Sequence, residues 1–318
     1  MCEFISARAV PKFLIQICYN FARMILVTGG TGFIGSHLVN QLTANGLPVR
    51  LLLNPSKKSP NLIKGQPVEV TLSSLLDERG LRAAMKDVDV IYHLASGEQL
   101  GSRADLMKVE IEGTRILSSL AKNAGVSRFI YVSHIGADRA SAYPLLQAKG
   151  IAEYLIKESK INYTIIRSAI VFGEGDHFTS NLVRLIKKSP GFLFLPGDGT
   201  TLIQPLWIDD LVASLIWTLD KKDSINQIIE IGGPEYLSIK EIFIILLNKL
   251  KIKRSLFEIT PVYLKTLTEL LETFNKKYPT SIFWLDYLAE NRICDLDAIS
   301  RFFQITPARF SHHLDHLS

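Results

Sequence analysis

M-I-L-V-T-G-G-T-G-F-I-G-S-H-L, residues 24–38, is the stretch that decides the fold. Its first four residues form a short apolar run with the composition of a buried strand. A turn with the pattern T-G-x-x-G-x-x-G follows, and a helical pattern begins at Ser36. A strand, a glycine turn and a helix in this order are typical of a dinucleotide-binding corner.

Each glycine of this turn has its own predicted task. Gly29 allows the tight turn out of the strand, Gly32 lets backbone N–H groups approach a pyrophosphate, and Gly35 lets the helix pack closely on the strand. The helix N-terminus adds N–H donors and a partial positive charge. The predicted cofactor contacts of this corner are Thr28, Gly29, Gly30, Thr31, Gly32, Phe33, Ile34 and Gly35.

Composition narrows the class of protein. The 318 residues suffice for one large α/β domain with an appended region, and 47% apolar with 21% charged residues is ordinary for a folded chain. The net charge of +5 is small and its lysines are dispersed, so we expect no nucleic-acid partner. The three scattered cysteines indicate neither a disulfide framework nor a metal site. No apolar run reaches the roughly 18 residues of a transmembrane span, so we expect no membrane-spanning helix. We expect a cytoplasmic protein, or one that is peripheral to a membrane.

Residues 1–23 precede the first predicted strand and have two interpretations. They contain the apolar letters F-L-I-Q-I-C-Y-N-F, which Gln16 and Asn20 interrupt, and no small-residue cleavage site follows. They form either an amphipathic surface segment or an extension from an upstream start codon, with Met24 as the functional beginning. We favour the second interpretation.

Strands and helices alternate through the first half of the chain. Near-continuous apolar strands between amphipathic helices predict a parallel sheet covered on both faces. We therefore predict an α/β fold with a Rossmann-type doubly wound domain over 24–172 and a smaller C-terminal substrate-side region over 173–318. Segments at about 202–233 are expected to return to the Rossmann sheet. The predicted strands are 24–27, 49–53, 68–72, 88–94, 128–133 and 163–166, and the predicted helices lie near 36–45, 77–86, 104–124 and 145–158.

Motifs over residues 24 to about 240 resemble a known superfamily. After the glycine corner come H-L-A-S at 93–96, Y-V-S at 131–133, K-G-I-A-E at 149–153, V-F-G-E-G-D at 171–176 and P-L-W-I-D-D-L-V at 205–212. The chain resembles the extended and atypical short-chain dehydrogenase/reductases, which are NAD-dependent epimerase/dehydratase-like proteins. It is most similar to the group of the 39 kDa accessory subunit of mitochondrial complex I and its bacterial relatives. The resemblance implies NAD(P)H binding, and several members of that group lack demonstrated chemistry.

The resemblance also implies a serine after strand five and a tyrosine four residues before a lysine. Lys149 fits the lysine, because Glu153 follows it at the family's interval. Leu145 stands where the tyrosine is expected, and the nearest tyrosine, Tyr143, is six residues away. Six residues turn a helix by about 600°, so these side chains diverge. Pro144 suits the first helical position, which places Tyr143 at or before the cap.

The serine position is altered as well, because His134 follows Ser133 where active relatives carry a second serine. His134 is either an acid or base near neutral pH or a packed strand-end residue. The candidate catalytic residues are therefore Lys149, Tyr143, His134 and Ser133.

Two functions follow from this degenerate catalytic motif. In the first, which we favour, the cofactor is a structural or sensing ligand and little chemistry occurs. In the second, Lys149 serves a reductase or an epimerase/dehydratase that acts on a small carbonyl, quinone-like or sugar-nucleotide substrate. The resemblance adds a third class, an accessory subunit that docks on a membrane respiratory complex, and it also allows a homodimer.

The cofactor is predicted to be NADP(H) rather than NAD(H). NAD binders place an acid at the end of strand two, but the chain has Asn54 there, followed by Ser56 and Lys57, which suit a 2′-phosphate. Ser74 replaces the aspartate that relatives carry after strand three. The predicted contacts outside the corner are Asn54, Ser56, Lys57, Ser74, Leu75, Ala95, Ser96 and Lys149. The predicted substrate pocket holds Gln99, His134, Tyr143, Phe172, His177, Gln204 and Trp207.

Overall fold

The computed structural model describes residues 24–55, 67–274 and 282–317. The strands, in chain order, are β1 (Met24–Thr28), β2 (Val49–Leu53), β3 (Val68–Leu72), β4 (Val88–His93), β5 (Arg128–His134), β6 (Tyr163–Ser168), β7 (Val171–Phe172), β8 (Phe192–Pro196), β9 (Leu202–Ile203), β10 (Leu206–Trp207), β11 (Gln227–Ile231), β12 (Leu237–Ser238) and β13 (Ser255–Ile259). The α-helices are α1 (Phe33–Ala44), α2 (Glu78–Ala84), α3 (Gly113–Asn123), α4 (Pro144–Glu158), α5 (Phe178–Lys188), α6 (Ile208–Trp217), α7 (Ile239–Leu250), α8 (Pro261–Phe274), α9 (Ile282–Tyr287) and α10 (Ala298–Phe303).

Seven parallel strands form the central sheet, in the order β11-β6-β5-β4-β1-β2-β3. The chain leaves β1 for β2 on one side and later continues with β4 on the other, so the strand order reverses between β1 and β4. A reversal of this kind leaves a crevice at the carboxyl ends of the strands, where ligands bind in such sheets. The Rossmann-type α/β fold predicted from the alternating pattern is confirmed.

Two apolar cores cover the two faces of the sheet. On one face, α1 and α6 bury side chains such as Leu38, Leu42 and Leu215 against the strands. On the other face, α2, α3 and α4 bury side chains such as Leu117 and Ile156. Burial of apolar side chains from both faces explains why the central strands are apolar along almost their whole length.

A third core lies outside the central sheet and organises the second half of the chain. It joins α5, α7, β8 and the C-terminal turns around Phe310. β11 belongs to the central sheet, where it pairs with β6, whereas β9 and β10 each pair with one short strand elsewhere. The division at residues 172 and 173 stays a prediction.

A side chain caps the N-terminus of α7, whereas no side chain caps that of α6. Ser238 caps α7 as its sequence position indicates, because it accepts from Glu241 N while the Glu241 carboxylate accepts from Ser238 N. The cap residue of α6 is Trp207, and neither Asp209 nor Asp210 caps this helix. Asp210 instead accepts from Ala308 N at 2.7 Å, and burial raises its pKa to about 6.

In the described part of the chain, no helix combines the length and apolarity needed to cross a membrane. Residues 1–23 and their two interpretations lie outside the described residues.

Candidate functional site

The glycine corner has the geometry that its sequence predicts. Gly29 has φ +72°, and a Cβ there would lie 2.6 Å from the carbonyl oxygen of Leu94. A Cβ on Gly35 would lie 2.1 Å from the carbonyl oxygen of Gly29, so α1 packs directly on the turn. Gly32 is the cap residue of α1, and no side chain caps this N-terminus. The first turn of α1 can therefore direct its N–H groups at an anion.

A cleft of about 1060 Å³ opens beside this corner. Ligand pockets usually measure about 300–1,000 Å³, so this cleft has the size of a large ligand pocket. It extends from the ends of β2 and β3 past the glycine corner to α5 and α9.

Most of the predicted cofactor contacts lie on this cleft. Gly30 does not, because it faces the sheet, where a Cβ would lie 2.7 Å from a Leu51 methyl carbon. Ser56 and Lys57, the predicted 2′-phosphate contacts, fall outside the described residues. The predicted contacts that line the cleft are Thr28, Gly29, Thr31, Gly32, Phe33, Ile34, Gly35, Asn54, Ser74, Leu75, Ala95 and Ser96.

A buried histidine supports the floor of the corner. The His93 ring links Thr28 Oγ1, 2.7 Å from Nδ1, to Thr114 Oγ1, 2.9 Å from Nε2. Burial, with a smaller contribution from the positive charge of Lys149, lowers the pKa of His93 to about 3. The ring is therefore neutral and tethers the end of β1 to α3. Sequence reasoning did not single out His93, although its position at the end of an apolar strand was a signal.

Lys149 does not face the cleft. Its Nζ lies 3.0 Å from Glu110 Oε2 and 5.1 Å from the centre of the Tyr131 ring, and its side chain is only 4% exposed. Lys149 is also absent from the described residues that line the cleft. Burial alone would lower the pKa of Lys149, but the negative charge of Glu110 raises it above the usual lysine value.

Glu110 is the residue that the sequence analysis missed. It is fully buried in a π-helical turn, Met107–Glu112, that leads into α3. Its Oε1 accepts from Ser96 Oγ at 2.6 Å and from Gly97 N at 2.9 Å. Burial would raise its pKa, yet Lys149 and these donors hold the pKa of Glu110 below its usual value. Glu110 thus connects the loop after β4 to the family's lysine.

A periodic signal for Glu110 was present in the sequence. The buried positions Thr114, Leu117 and Ala121 follow it at intervals of four, seven and eleven residues, which is one face of a helix. An acid on such an apolar face needs a buried partner. The partner itself, 39 residues away, was not readable from the spacing.

The two positions relevant to the missing tyrosine lie apart. Leu145 occupies the expected place, is buried and lines the cleft. Tyr143 is the cap residue of α4, as predicted. Its hydroxyl lies 3.5 Å from Glu290 Oε1, and the Arg292 guanidinium lies 5.5 Å from its ring centre. Tyr143 lines the cleft, but its polar contact is with the segment after α9 and not with Lys149.

His134 forms an acid–base pair within the cleft. Its Nε2 lies 3.1 Å from Glu98 Oε2, and both residues line the cleft. Although burial would raise the pKa of Glu98, the contact with His134 leaves it lowered. Ser133 is fully buried, and its Oγ has no hydrogen-bond partner among the described residues.

The predicted substrate residues separate into two groups. Gln99 and His177 line the cleft, together with His134 and Tyr143. Phe172 and Trp207 instead pack on each other in the third core, with ring centres 5.3 Å apart. Gln204 is buried and bonds Gly233 O and Cys294 N. The described part of the chain also holds no group of His, Cys, Asp and Glu suited to a metal ion.

The glycine corner, the strand reversal and the cleft define a Rossmann-type nucleotide-binding protein. A family model described as NAD(P)H-binding matches residues 29–188. The chain belongs to this NAD(P)H-binding family, and the predicted nicotinamide nucleotide is confirmed at that level.

Two curated relatives carry this similarity across much of the chain. NADH dehydrogenase [ubiquinone] 1 alpha subcomplex subunit 9, mitochondrial, of Arabidopsis thaliana is 31% identical over 68% of this chain and 55% of its own length. The ceramide reductase of Caulobacter vibrioides is 28% identical over 61% of this chain and 60% of its own length. The chain thus spans little more than half of these relatives. The resemblance to the complex I subunit group is confirmed.

Solved structures support the fold. The UDP-glucuronic acid 4-epimerase of Bacillus cereus, solved with UDP-glucuronic acid and NAD, has a TM-score of 0.69 at 23% identity. That match covers 92% of this chain and 97% of the epimerase. This likeness confirms the Rossmann-type fold.

Proposed function

We propose that the chain holds a nicotinamide dinucleotide as a structural or sensing ligand and does little chemistry with it. The ion pair between Lys149 and Glu110 carries this proposal. A lysine that assists proton transfer has to reach the nicotinamide ribose, yet Lys149 is buried, held 3.0 Å from the Glu110 carboxylate and absent from the described lining of the cleft. Leu145, which cannot transfer a proton, stands where the tyrosine would be.

The nucleotide is proposed to lie along the cleft with its pyrophosphate at the first turn of α1. Asn54 and Ser74 then border the adenosine, and Ala95 and Ser96 border the nicotinamide half. We propose NADP(H) as the preferred form. Its support is that Asn54, the residue directly after β2, is not the carboxylate that would repel a 2′-phosphate.

The decisive measurement is the release rate of NADPH from the purified chain. Bound NADPH is chased with excess unlabelled nucleotide and followed by its fluorescence, with NADH measured in parallel. Release over minutes or longer is expected, because a structural or sensing cofactor need not leave at each turnover. Release within a second would contradict the proposal, and binding of neither nucleotide would also remove its basis.

A second candidate function is a reductase or an epimerase/dehydratase, and the His134–Glu98 pair favours it. This pair lines the cleft, where it offers an imidazole and a carboxylate, 3.1 Å apart, for general acid–base chemistry. NADPH oxidation with a panel of aldehydes and quinones tests this alternative. If His134→Gln reduces the rate of NADPH oxidation at least about tenfold, the result would support an enzyme rather than a binding protein.

A third candidate is docking on a membrane respiratory complex, which the similarity to the Arabidopsis complex I subunit favours. Fractionation of cells that express the chain, at low and at high salt, separates a docked subunit from a free cytoplasmic protein. Recovery in the membrane fraction at both salt concentrations supports docking. Size-exclusion chromatography of the same preparation tests the homodimer.

A further inference from the structure

The end of the cleft farthest from the adenosine residues is lined by one face of α5. His177, Asn181, Arg184 and Lys188 all line it. Their intervals of four, three and four residues place them within one helical stripe, about 16 Å long. We call these four residues the α5 stripe.

Among the residues that the structure describes, the positive charge at this end of the cleft is not balanced. The three described carboxylates that line the cleft each have a basic partner: Glu98 has His134 at 3.1 Å, Asp105 has Lys108 at 2.8 Å and Asp286 has Lys265 at 2.7 Å. Arg184 and Lys188 have no ion-pair partner among the described residues. Like charges four residues apart on a helix repel each other, and an anion between them would remove that repulsion.

The favourable interaction of cations with the C-terminal end of the helix dipole does not explain why Arg184 and Lys188 line the cleft. Lys187 lies in the same last turn, where it interacts equally well with the helix dipole, yet it is absent from the described cleft lining. The helix dipole accounts for basic residues in this turn, but it does not account for two cations on the cleft side.

An apolar wall stands at the same end of the cleft. The Trp284 ring of α9 stacks on the Phe178 ring at the start of α5, with centres 4.4 Å apart and an angle of 9°. Phe283 and Tyr287 continue this wall. The helical turn Glu98–Arg103 packs against α9 and presents Leu100, a cleft residue that is 51% exposed. An exposed leucine beside aromatic rings favours an apolar ligand.

The stripe is separate from the adenosine end. β2 and β6 are four strand spacings apart in the sheet, which is about 19 Å. The adenosine residues follow β2 and β3, whereas α5 follows β6 and β7. The cations of α5 are therefore too far away to be the site of a 2′-phosphate.

We propose that this end of the cleft binds an amphiphilic anion. Its carboxylate or phosphate lies between Arg184 and Lys188, and its apolar body lies along Trp284 and Leu100. The proposal deepens the proposed function, because it names the class of molecule whose presence beside the bound nucleotide would be sensed. It applies to the free protein as well, since the α5 stripe and the aromatic wall do not depend on the nucleotide.

The test is equilibrium dialysis with the full chain, which measures the affinity of four probes with and without NADPH. The probes are dodecanoate, dodecyl phosphate, dodecanol and butyrate. Dodecanoate and dodecyl phosphate are expected to bind at least about tenfold more tightly than dodecanol, which lacks the charge, and than butyrate, which lacks the apolar body. The ratio of the two anions shows which head group is preferred. Raising the salt from about 50 mM to about 500 mM should weaken only the anionic probes.

A matched pair of variants locates the site. The double variant Arg184→Gln/Lys188→Gln is expected to weaken dodecanoate binding at least about tenfold, and Lys187→Gln less than twofold, while NADPH affinity stays within twofold in both. Equal dodecanoate affinity in the double variant and the wild type would overturn the proposal, as would equal losses in the double variant and Lys187→Gln. Failure of NADPH to bind would overturn the proposed function alone, because the probes are also measured without nucleotide.

Discussion

The nucleotide half of the cleft, around β1 and β2, and its proton-transfer half, around β5 and α4, belong to the same sheet, but they place their polar groups differently. Around β1 and β2 the backbone lines an open space and leaves the first turn of α1 uncapped by side chains. Around β5 and α4, Ser133 and Lys149 are buried away from that space. The backbone at the first turn of α1 thus borders the cleft, whereas Lys149 pairs with Glu110 and is absent from the described cleft lining.

The largest expected effect comes from disturbing the nucleotide half at Gly35. A Cβ there would lie 2.1 Å from Gly29 O, whereas ordinary contacts are 3.4 Å or longer, so α1 has to move away from the turn. Gly35→Ala should lower NADPH affinity at least about 100-fold in a fluorescence titration.

Gly46→Ala is the control for Gly35→Ala. Gly46 also has a positive φ, +75°, but a Cβ there meets nothing within 4 Å. It should cost roughly 1 kcal/mol of stability and leave NADPH affinity unchanged. If both variants bind NADPH as the wild type does, the pyrophosphate does not lie at this corner.

The next largest effect is expected in the proton-transfer half, where Glu110→Gln should lower the stability of the fold. The substitution leaves the Lys149 ammonium buried without its counter-charge, and breaking a buried pair in this way costs about 3–5 kcal/mol. Urea unfolding at neutral pH measures this loss. Glu112→Gln, two residues away, removes an exposed pair with Arg115 and should cost less than about 1 kcal/mol.

The pH dependence of unfolding separates the charge of the pair from its packing. The pKa of Glu110 is lowered, so its stabilisation is present above the ordinary glutamate pKa of about 4.3 and is lost as the pH falls through the folded value. The pKa of Lys149 is raised, so its stabilisation is present below about 10.4 and is lost as the pH rises through the folded value. The gap between wild type and Glu110→Gln should therefore be widest from about pH 5 to pH 10. A gap that stays constant down to pH 3 would mean that the pair does not act through charge.

This contrast also explains what the sequence could and could not predict. The strand bounds of β2 and β3 and the task of Gly35 were readable, because local periodicity and one glycine turn determine them. The cap position of Tyr143 was readable for the same reason. The Glu110–Lys149 pair was not, because its two partners are 39 residues apart and become neighbours only when α3 and α4 pack on one face of the sheet.

The direction of individual side chains is the other feature that the sequence could not predict. Trp207 and Phe172 have the composition of a ligand pocket, yet they pack against each other, and Phe172 also packs against Phe310. The cations of α5 have the composition of a solvated surface, yet two of them line the cleft. An aromatic residue or a lysine can take either place, and the choice depends on how the second half of the chain packs on the first.

The smallest effect is expected from Tyr143→Phe, which asks whether any proton transfer survives in this cleft. The Tyr143 hydroxyl is 3.5 Å from Glu290 and turned to the segment after α9, so its removal should change stability by less than about 0.5 kcal/mol. Any NADPH oxidation that the wild type shows should also stay within twofold.

His134→Gln is the informative partner variant, because His134 lies in the cleft beside Glu98. A rate that falls with His134→Gln but not with Tyr143→Phe would assign the residual chemistry to the histidine. A rate that falls at least about tenfold with Tyr143→Phe would show that this tyrosine swings to the nicotinamide, and the division of the cleft into a binding half and a silent half would then be wrong.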